Sequence, residues 1–110
     1  MEVNTNSKLI TSFVPKGTGL DLVKSLKNET GITTGNVSNS RGTGTSSNSD
    51  FGDWVEVDVF DVIVESERAE EIFSFIYDKA GIGEGNHGFM IQSNIAQSTK
   101  FTLPDLPEEE

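Results

Sequence analysis

The chain has 110 residues, 8 of them basic and 18 acidic, and a net charge of −10 at neutral pH. This length fits one domain with a modest core, and the charge makes nucleic acid and anionic membranes unfavourable partners because both repel it. Cysteine is absent, which excludes disulfides, thiolate metal sites and a cysteine nucleophile. The first ten residues lack the apolar segment of a secretion signal, and the expected location is the cytoplasm.

The first half of the chain predicts a strand, a helix and a weaker strand. Residues 1–7 are polar and expected to be frayed, and residues 8–14 alternate between two faces as a strand does. Residues 19–29 carry apolar side chains at helical spacing, and Gly31 suits the left-handed cap that ends many helices. Residues 32–40 show a weak strand pattern.

A long polar loop and a strong strand follow. Residues 40–53 consist largely of Gly, Ser, Thr and Asn, and predict a mobile loop longer than a hairpin needs. Residues 54–65 are apolar on one face at first and on both faces from Phe60, which indicates either a bulge or burial on both sides. Glu56 and Asp58 share the polar face of the first half. This pattern favours a solvated strand face over an acid pair or a metal site.

The chain closes with a helix, a strand and a tail. Ser66 can cap a helix over residues 67–81, and a glycine-rich turn ends this helix before the last strand, residues 87–95. The apolar stripe of the helix is predicted to be core and consists of Ala69, Ile72, Phe73, Ile76 and Tyr77. Residues 102–110 contain two prolines and three glutamates and predict an extended acidic tail.

The order β-α-β-β-α-β in two nearly equal halves is typical of the split βαβ or ferredoxin-like fold. In this α+β sandwich an antiparallel sheet carries both helices on one face. Apolar side chains on the other face need a cover, and a closed trimer with the three sheets at its centre would provide one. The sequence therefore predicts a single domain, residues 1–110, that assembles as a homotrimer.

Several stretches of the chain resemble the PII signalling superfamily, in its broad PII-like branch and not the nitrogen-regulatory proteins. The stretches are KLITSFVPKG from Lys8, RGTG from Arg41, VFDVIVESERAEEIFSFIYDKA from Val59 and GIGEGNHGF from Gly81. In that family the long loop is the T-loop, the glycine turn is the B-loop, and the segment after the last strand is the C-loop. The resemblance implies trimers with a nucleotide in each of three clefts between subunits, surrounded by these three loops.

The glycine turn has a chemical interpretation of its own. Gly81, Gly83 and Gly85 would let successive backbone N–H groups turn toward an anion, and glycine has no side chain to hold a phosphate away. The alternative is a flexible connector with a glycine cap. The resemblance favours phosphate. With it, the candidate nucleotide-binding residues are Arg41, Gly42, Thr43, Gly44, Gly81, Ile82, Gly83, Glu84, Gly85, Asn86, His87 and Lys100.

Three of these candidates bring a basic side chain. Arg41 at the T-loop base suits a bidentate phosphate or carboxylate contact, Lys100 lies in the C-loop, and His87 adjoins the B-loop. Their alternatives are a solvated loop charge, a solvent-facing lysine and a partly exposed surface histidine. Two positions depart from the ATP-binding relatives: Asn86 replaces a B-loop lysine, and Ser46 replaces a glutamine that holds magnesium. These departures disfavour sensing of Mg-ATP and 2-oxoglutarate.

The predicted function is that of a non-catalytic sensor. It binds ADP or AMP, with ATP as an alternative, and orders its T-loop to control a partner, in the first place a membrane transporter. Relatives also sense bicarbonate or bind cyclic dinucleotides, and the sequence does not choose among these. No nucleophile–base set can be assembled, so no catalytic residue, catalytic cofactor or metal site is predicted.

Two alternatives remain open. One is a non-catalytic trimeric scaffold whose glycine turn is indifferent to nucleotide. The other is a metal-binding trimer of the copper-tolerance type, for which the chain offers only His87, Met1 and Met90 as ligands.

Overall fold

A computed structural model of the chain describes residues 3–43, 54–84 and 88–99, and the side chains of these residues except 4, 40–43, 54–55 and 84. Its elements in chain order are β1 (Val3–Asn4), β2 (Ser7–Pro15), α1 (Thr18–Thr30), β3 (Asn36–Thr43), β4 (Trp54–Glu65), α2 (Ser66–Ala80), a 3₁₀ turn (Ile82–Glu84), β5 (Phe89–Ile95) and β6 (Ser98–Thr99). Neither described helix is long and apolar enough to cross a membrane.

The four longer strands form one sheet in the order β3-β4-β2-β5, and every neighbouring pair is antiparallel. Each helix connects two strands that have a third strand between them. Helix α1 joins β2 to β3 past β4, and α2 joins β4 to β5 past β2. This is the split βαβ arrangement, so the predicted α+β ferredoxin-like fold is confirmed. Strands β1 and β6 pair with each other in a separate two-stranded sheet.

Both helices pack on one face of the sheet and form the core with it. Every second side chain of β2 and β4 faces the helices, as the pleat of a strand requires. Burying each of the larger core side chains contributes roughly 1.5–3 kcal/mol relative to leaving it in water. The buried apolar side chains are Ile10, Val14, Leu22, Leu26, Phe60, Val62, Val64, Ala69, Ile72, Ile76 and Ala80.

The opposite face of the sheet is also partly apolar. The pairing of β2 with β4 continues without interruption from Ser7 to Pro15, so the alternative of a bulge is wrong. The rings of Phe13 and Phe89 lie 6.1 Å apart on this face, and Phe89 is 58% exposed. One chain therefore leaves apolar surface in contact with water, and the trimer that would cover it stays a prediction.

Asp58 corrects the prediction of a solvated strand face. Its side chain is only 4% exposed, because the first turn of α1 lies over it. Its Oδ2 atom accepts hydrogen bonds from the backbone N–H groups of Gly17, at 2.8 Å, and Gly19, at 2.9 Å. Gly17 precedes α1 and has no side chain to cap it, so a carboxylate from β4 does so instead. A Cβ at Gly19 would lie 3.0 Å from this oxygen and 2.8 Å from Val37, so glycine permits the close approach.

Several predicted boundaries differ from the structure. The weak strand was predicted from residue 32, but β3 begins at Asn36. The loop was predicted from residue 40, but β3 continues to Thr43 because residues 41–43 pair with residues 54–56 of β4. The range 1–7 was predicted to be frayed, but Val3–Asn4 forms β1 against β6. Ser66 is the first residue of α2 and not its cap, and its N–H group donates to the carbonyl oxygen of Asn6. Residues 44–53 and 102–110 lie outside the described part of the chain.

Replacing Asp58 with alanine is expected to lower the free energy of unfolding by about 1–3 kcal/mol, because two N–H groups at the start of α1 lose their acceptor. Urea unfolding followed by circular dichroism measures this loss. The matched control is Glu56→Ala on the same face of β4, whose exposed ion pair with Lys16 is worth at most about 1 kcal/mol. Equal losses in the two variants would contradict the capping role.

Candidate functional site

The glycine turn and the end of β3 lie at the same end of the sheet. Here β2 ends at Pro15, β3 ends at Thr43, β4 begins at Trp54 and β5 begins at Phe89. We call this the loop end of the sheet. Two groups of candidate residues that are far apart in sequence, 41–43 and 81–84, are therefore found at one end of the molecule.

A glycine cap, which belongs to the alternative interpretation of the turn, is observed at the end of α2. Gly81 adopts the left-handed conformation, with φ at 71°, and its N–H group donates to carbonyl oxygens of the last helical turn, those of Tyr77 and Asp78. This bond removes the Gly81 N–H group from any anion-binding nest. The 3₁₀ turn Ile82–Glu84 follows, and the half-buried side chain of Ile82 packs against the core. The turn is thus anchored to the core through Ile82.

Gly83 needs to be glycine for a reason that its sequence position does not reveal. Its φ is not positive, unlike that of Gly81. A Cβ here would overlap the hydroxyl group of Tyr77 and lie 2.8 Å from the Cε1 and Cζ atoms of its ring. The open side of Gly83 is therefore filled by a phenol. Tyr77 was predicted to be core, but it is 43% exposed because it packs on the turn and not between helix and sheet.

Residues 41–43 pair with residues 54–56 beyond the last residue of β2, Pro15, whose partner is Val57. We call these six residues the β3–β4 arm. In its register Arg41 lies opposite Glu56, Gly42 opposite Val55 and Thr43 opposite Trp54. The arm carries the ends of the predicted T-loop, and Gly44, the next candidate residue, lies outside the described residues.

The arm and the turn stand at opposite edges of the sheet. Strands β3 and β5 are the two edges, and β4 and β2 lie between them. At about 4.8 Å per strand, the backbones of the two edges are roughly 14 Å apart. Residues 41–43 are thus on the strand farthest from β5, the strand that follows the turn.

The other candidates are placed only in part. Gly85, Asn86, His87 and Lys100 lie outside the described residues, and only the backbone of Glu84 is described. Thr99 precedes Lys100 and pairs with Val3. This pair lies beside the end of the four-stranded sheet at which Ser7 pairs with Ile95. This end is opposite the loop end.

Lys16 is a cation at the loop end that the sequence interpretation missed. It follows β2 directly, and β2 lies between the strands of the arm and the strand after the turn. Its Nζ atom lies 2.7 Å from Oε1 of Glu56, the residue opposite Arg41 in the β3–β4 register. The signal was the Pro-Lys-Gly stretch after the first strand, which was used only to mark where that strand ends.

No candidate metal centre is found in the described part of the chain. No group of three or more His, Cys, Asp or Glu side chains there lies close enough to hold a metal ion. Met90 packs against the core from β5. Glu71 has a lowered pKa because the Arg68 guanidinium hydrogen-bonds to its carboxylate, at 3.0 Å. This is an exposed pair on the first turns of α2, so the shift does not mark a catalytic carboxylate.

The fold is that of PII-like proteins. The PII protein of Arabidopsis thaliana, in a structure bound to citrate, matches with a TM-score of 0.67 and 18% identity over 84% of this chain and 80% of its own. A DUF3240 family protein from Shewanella baltica OS155 matches with a TM-score of 0.67 and 11% identity over 90% of this chain and 100% of its own. Comparison with models of protein families finds no match, and comparison with curated protein sequences finds none.

Replacing Gly83 with alanine is expected to lower the free energy of unfolding by about 1 kcal/mol, because the added methyl group displaces the ring of Tyr77. In a Tyr77→Ala background the same substitution has no ring to displace and should cost almost nothing. A double-mutant cycle by urea unfolding measures this coupling. The same cost in both backgrounds would show that Gly83 is required for some other reason.

Proposed function

We propose that this chain is a PII-like regulatory protein that binds an adenine nucleotide and controls a partner through the segment at residues 44–53. The observation that supports this best is the 3₁₀ turn after the left-handed cap of α2, in which Gly83 is exposed, at the same end of the sheet as the β3–β4 arm. Turns of this kind place backbone N–H groups where an anion can reach them. The citrate in the plant PII structure is also a small anion, which supports an anionic ligand in this fold.

The nucleotide would bind between subunits of a homotrimer. Residues 41–43 and the strand that follows the turn lie at opposite edges of one sheet, so a site between two subunits would bring the arm of one against the turn of the next. The apolar open face of the sheet, which includes Phe13 and Phe89, supplies surface for such an assembly. Each cleft would then take its turn from one subunit and its arm from the next.

The ligand is ADP or AMP in this proposal, with ATP as an alternative. Asn86 and Ser46 stand where the ATP-binding relatives have the lysine and the glutamine that the resemblance would require. Bicarbonate or a cyclic dinucleotide could accompany or replace the nucleotide. No catalytic cofactor is involved, and the protein acts by binding alone.

Binding is communicated to the partner through the arm. Arg41 would contact the ligand, and Gly42 and Thr43 continue the strand toward residues 44–53. A segment rich in glycine and serine loses much backbone entropy when it is fixed, so ligand contacts at Arg41 can decide whether it becomes ordered. The partner is a regulated protein in the cytoplasm or at a membrane, and a transporter for an ion or nutrient fits this role.

Isothermal titration with ADP, AMP, ATP, cyclic di-AMP and bicarbonate, each with and without magnesium, tests the proposal. ADP or AMP should bind near one per subunit, and Arg41→Ala should weaken the affinity about tenfold or more because a charge-assisted contact is lost. The matched control is Lys24→Ala, an exposed cation of α1 with the same change in charge. No binding of any compound would leave a PII-shaped scaffold, and equal effects of the two variants would remove Arg41 from the site.

A further inference from the structure

The side chain of Tyr77 contacts the middle of the glycine turn. Gly81 reverses the chain at the end of α2, and the turn then folds back so that Gly83 lies against the phenol ring one helical turn earlier. The hydroxyl group is at the contact, and the side chain as a whole is 43% exposed. The hydroxyl group of Tyr77 therefore occupies the side of Gly83 on which a side chain would stand, and it lies beside any anion bound at the turn.

The backbone of Tyr77 is held firmly. The preceding residue, Ile76, is completely buried, and Ala80, one turn later, is buried as well. The ring packs on the turn, so its hydroxyl group has a defined position beside the residue that was expected to accept a phosphate. A donor that is already in position costs little further entropy when a ligand binds.

A neutral donor is well suited to this place. The chain carries a net charge of −10, and the Gly81 N–H group is occupied by the helix carbonyls. A hydroxyl group that donates to a phosphate oxygen forms a charge-assisted hydrogen bond, which is shorter and stronger than a neutral one. The phenol can supply this bond without the cost of bringing a further charge out of water.

We propose that Tyr77 is part of the ligand site and that its hydroxyl group donates a hydrogen bond to a phosphate oxygen bound at the turn of residues 81–84. This inference rests on the proposed function, because it needs a ligand that carries phosphate. It assigns a specific contact to a residue whose sequence pattern indicated only packing.

Titration of wild-type protein and Tyr77→Phe with ADP and with pyrophosphate tests this contact. Phenylalanine keeps the ring on Gly83 and removes only the hydroxyl group, so the midpoint of urea unfolding should change little. The affinity for both compounds should fall about tenfold to a hundredfold, as expected for one lost hydrogen bond to a charged group. Ser74→Ala, which removes an exposed hydroxyl group from the same helix, is the matched control and should bind like wild type.

A spectroscopic measurement gives an independent result, because Tyr77 is the only tyrosine of the chain. Pyrophosphate does not absorb in the near ultraviolet, so a difference spectrum of the protein with and without it reports on aromatic side chains alone. The tyrosine band should shift when wild-type protein binds and should give no signal in Tyr77→Phe.

The outcomes separate the two proposals. If Tyr77→Phe binds each compound as tightly as wild-type protein does, this inference is overturned and the proposed function is left intact. A loss for ADP with unchanged pyrophosphate binding would place the ring near the base and overturn the phosphate contact. If wild-type protein binds neither compound, this inference is wrong, and the titrations with AMP, ATP, cyclic di-AMP and bicarbonate decide separately on the proposed function.

Discussion

The order of the strands is the constraint on which the functional interpretation depends. Because β4 and β2 lie between β3 and β5, the two edges of the sheet carry the two halves of the candidate site. Antiparallel pairing places both halves at one end of the sheet, and the width of two strands keeps them apart. In the proposed trimer, the second half of each site would come from another copy of the chain.

The loop end is also where the fold connects its parts by polar contacts. Asp58 holds the start of α1 through Gly17 and Gly19, and Lys16 forms an ion pair with Glu56 on the arm. Asp58 and Glu56 lie on the same face of β4, two positions apart, so the end of β2, the start of α1 and the arm are connected through one strand. A ligand that contacts Arg41 would bind next to this connected region. Binding there could alter the conformation of the arm.

The elements of the fold could be predicted because their periodicity is long and uninterrupted. The strand at 54–65 and the glycine ends of both helices agree with the structure. The burial of Asp58 could not be predicted, since it depends on a helix that begins more than thirty residues earlier in the chain and whose own cap is a glycine. The start of the loop was misplaced because Gly42 has a weak strand preference and opens a stretch rich in Gly, Ser and Asn, which pairing with β4 overrides at residues 41–43.

The site was predictable in part for the same reasons. The glycine turn could be recognised from composition, but Tyr77 shares a helical stripe with buried residues, and only the direction of the chain after Gly81 places it on the turn. Lys16 was overlooked because its role depends on the neighbouring strands and not on its sequence neighbours.

The central claim is that each ligand site is shared between subunits, and mixed oligomers test it most directly. Chains with Arg41→Ala and chains with Gly83→Glu, each impaired in one half of the site, are unfolded together, refolded and titrated with ADP. If the site is shared, some clefts combine two unaltered halves, and a fraction of the sites regains wild-type affinity. If every site in the mixture is as weak as in the parent variants, the two halves act within one chain or not at all, and the account is contradicted.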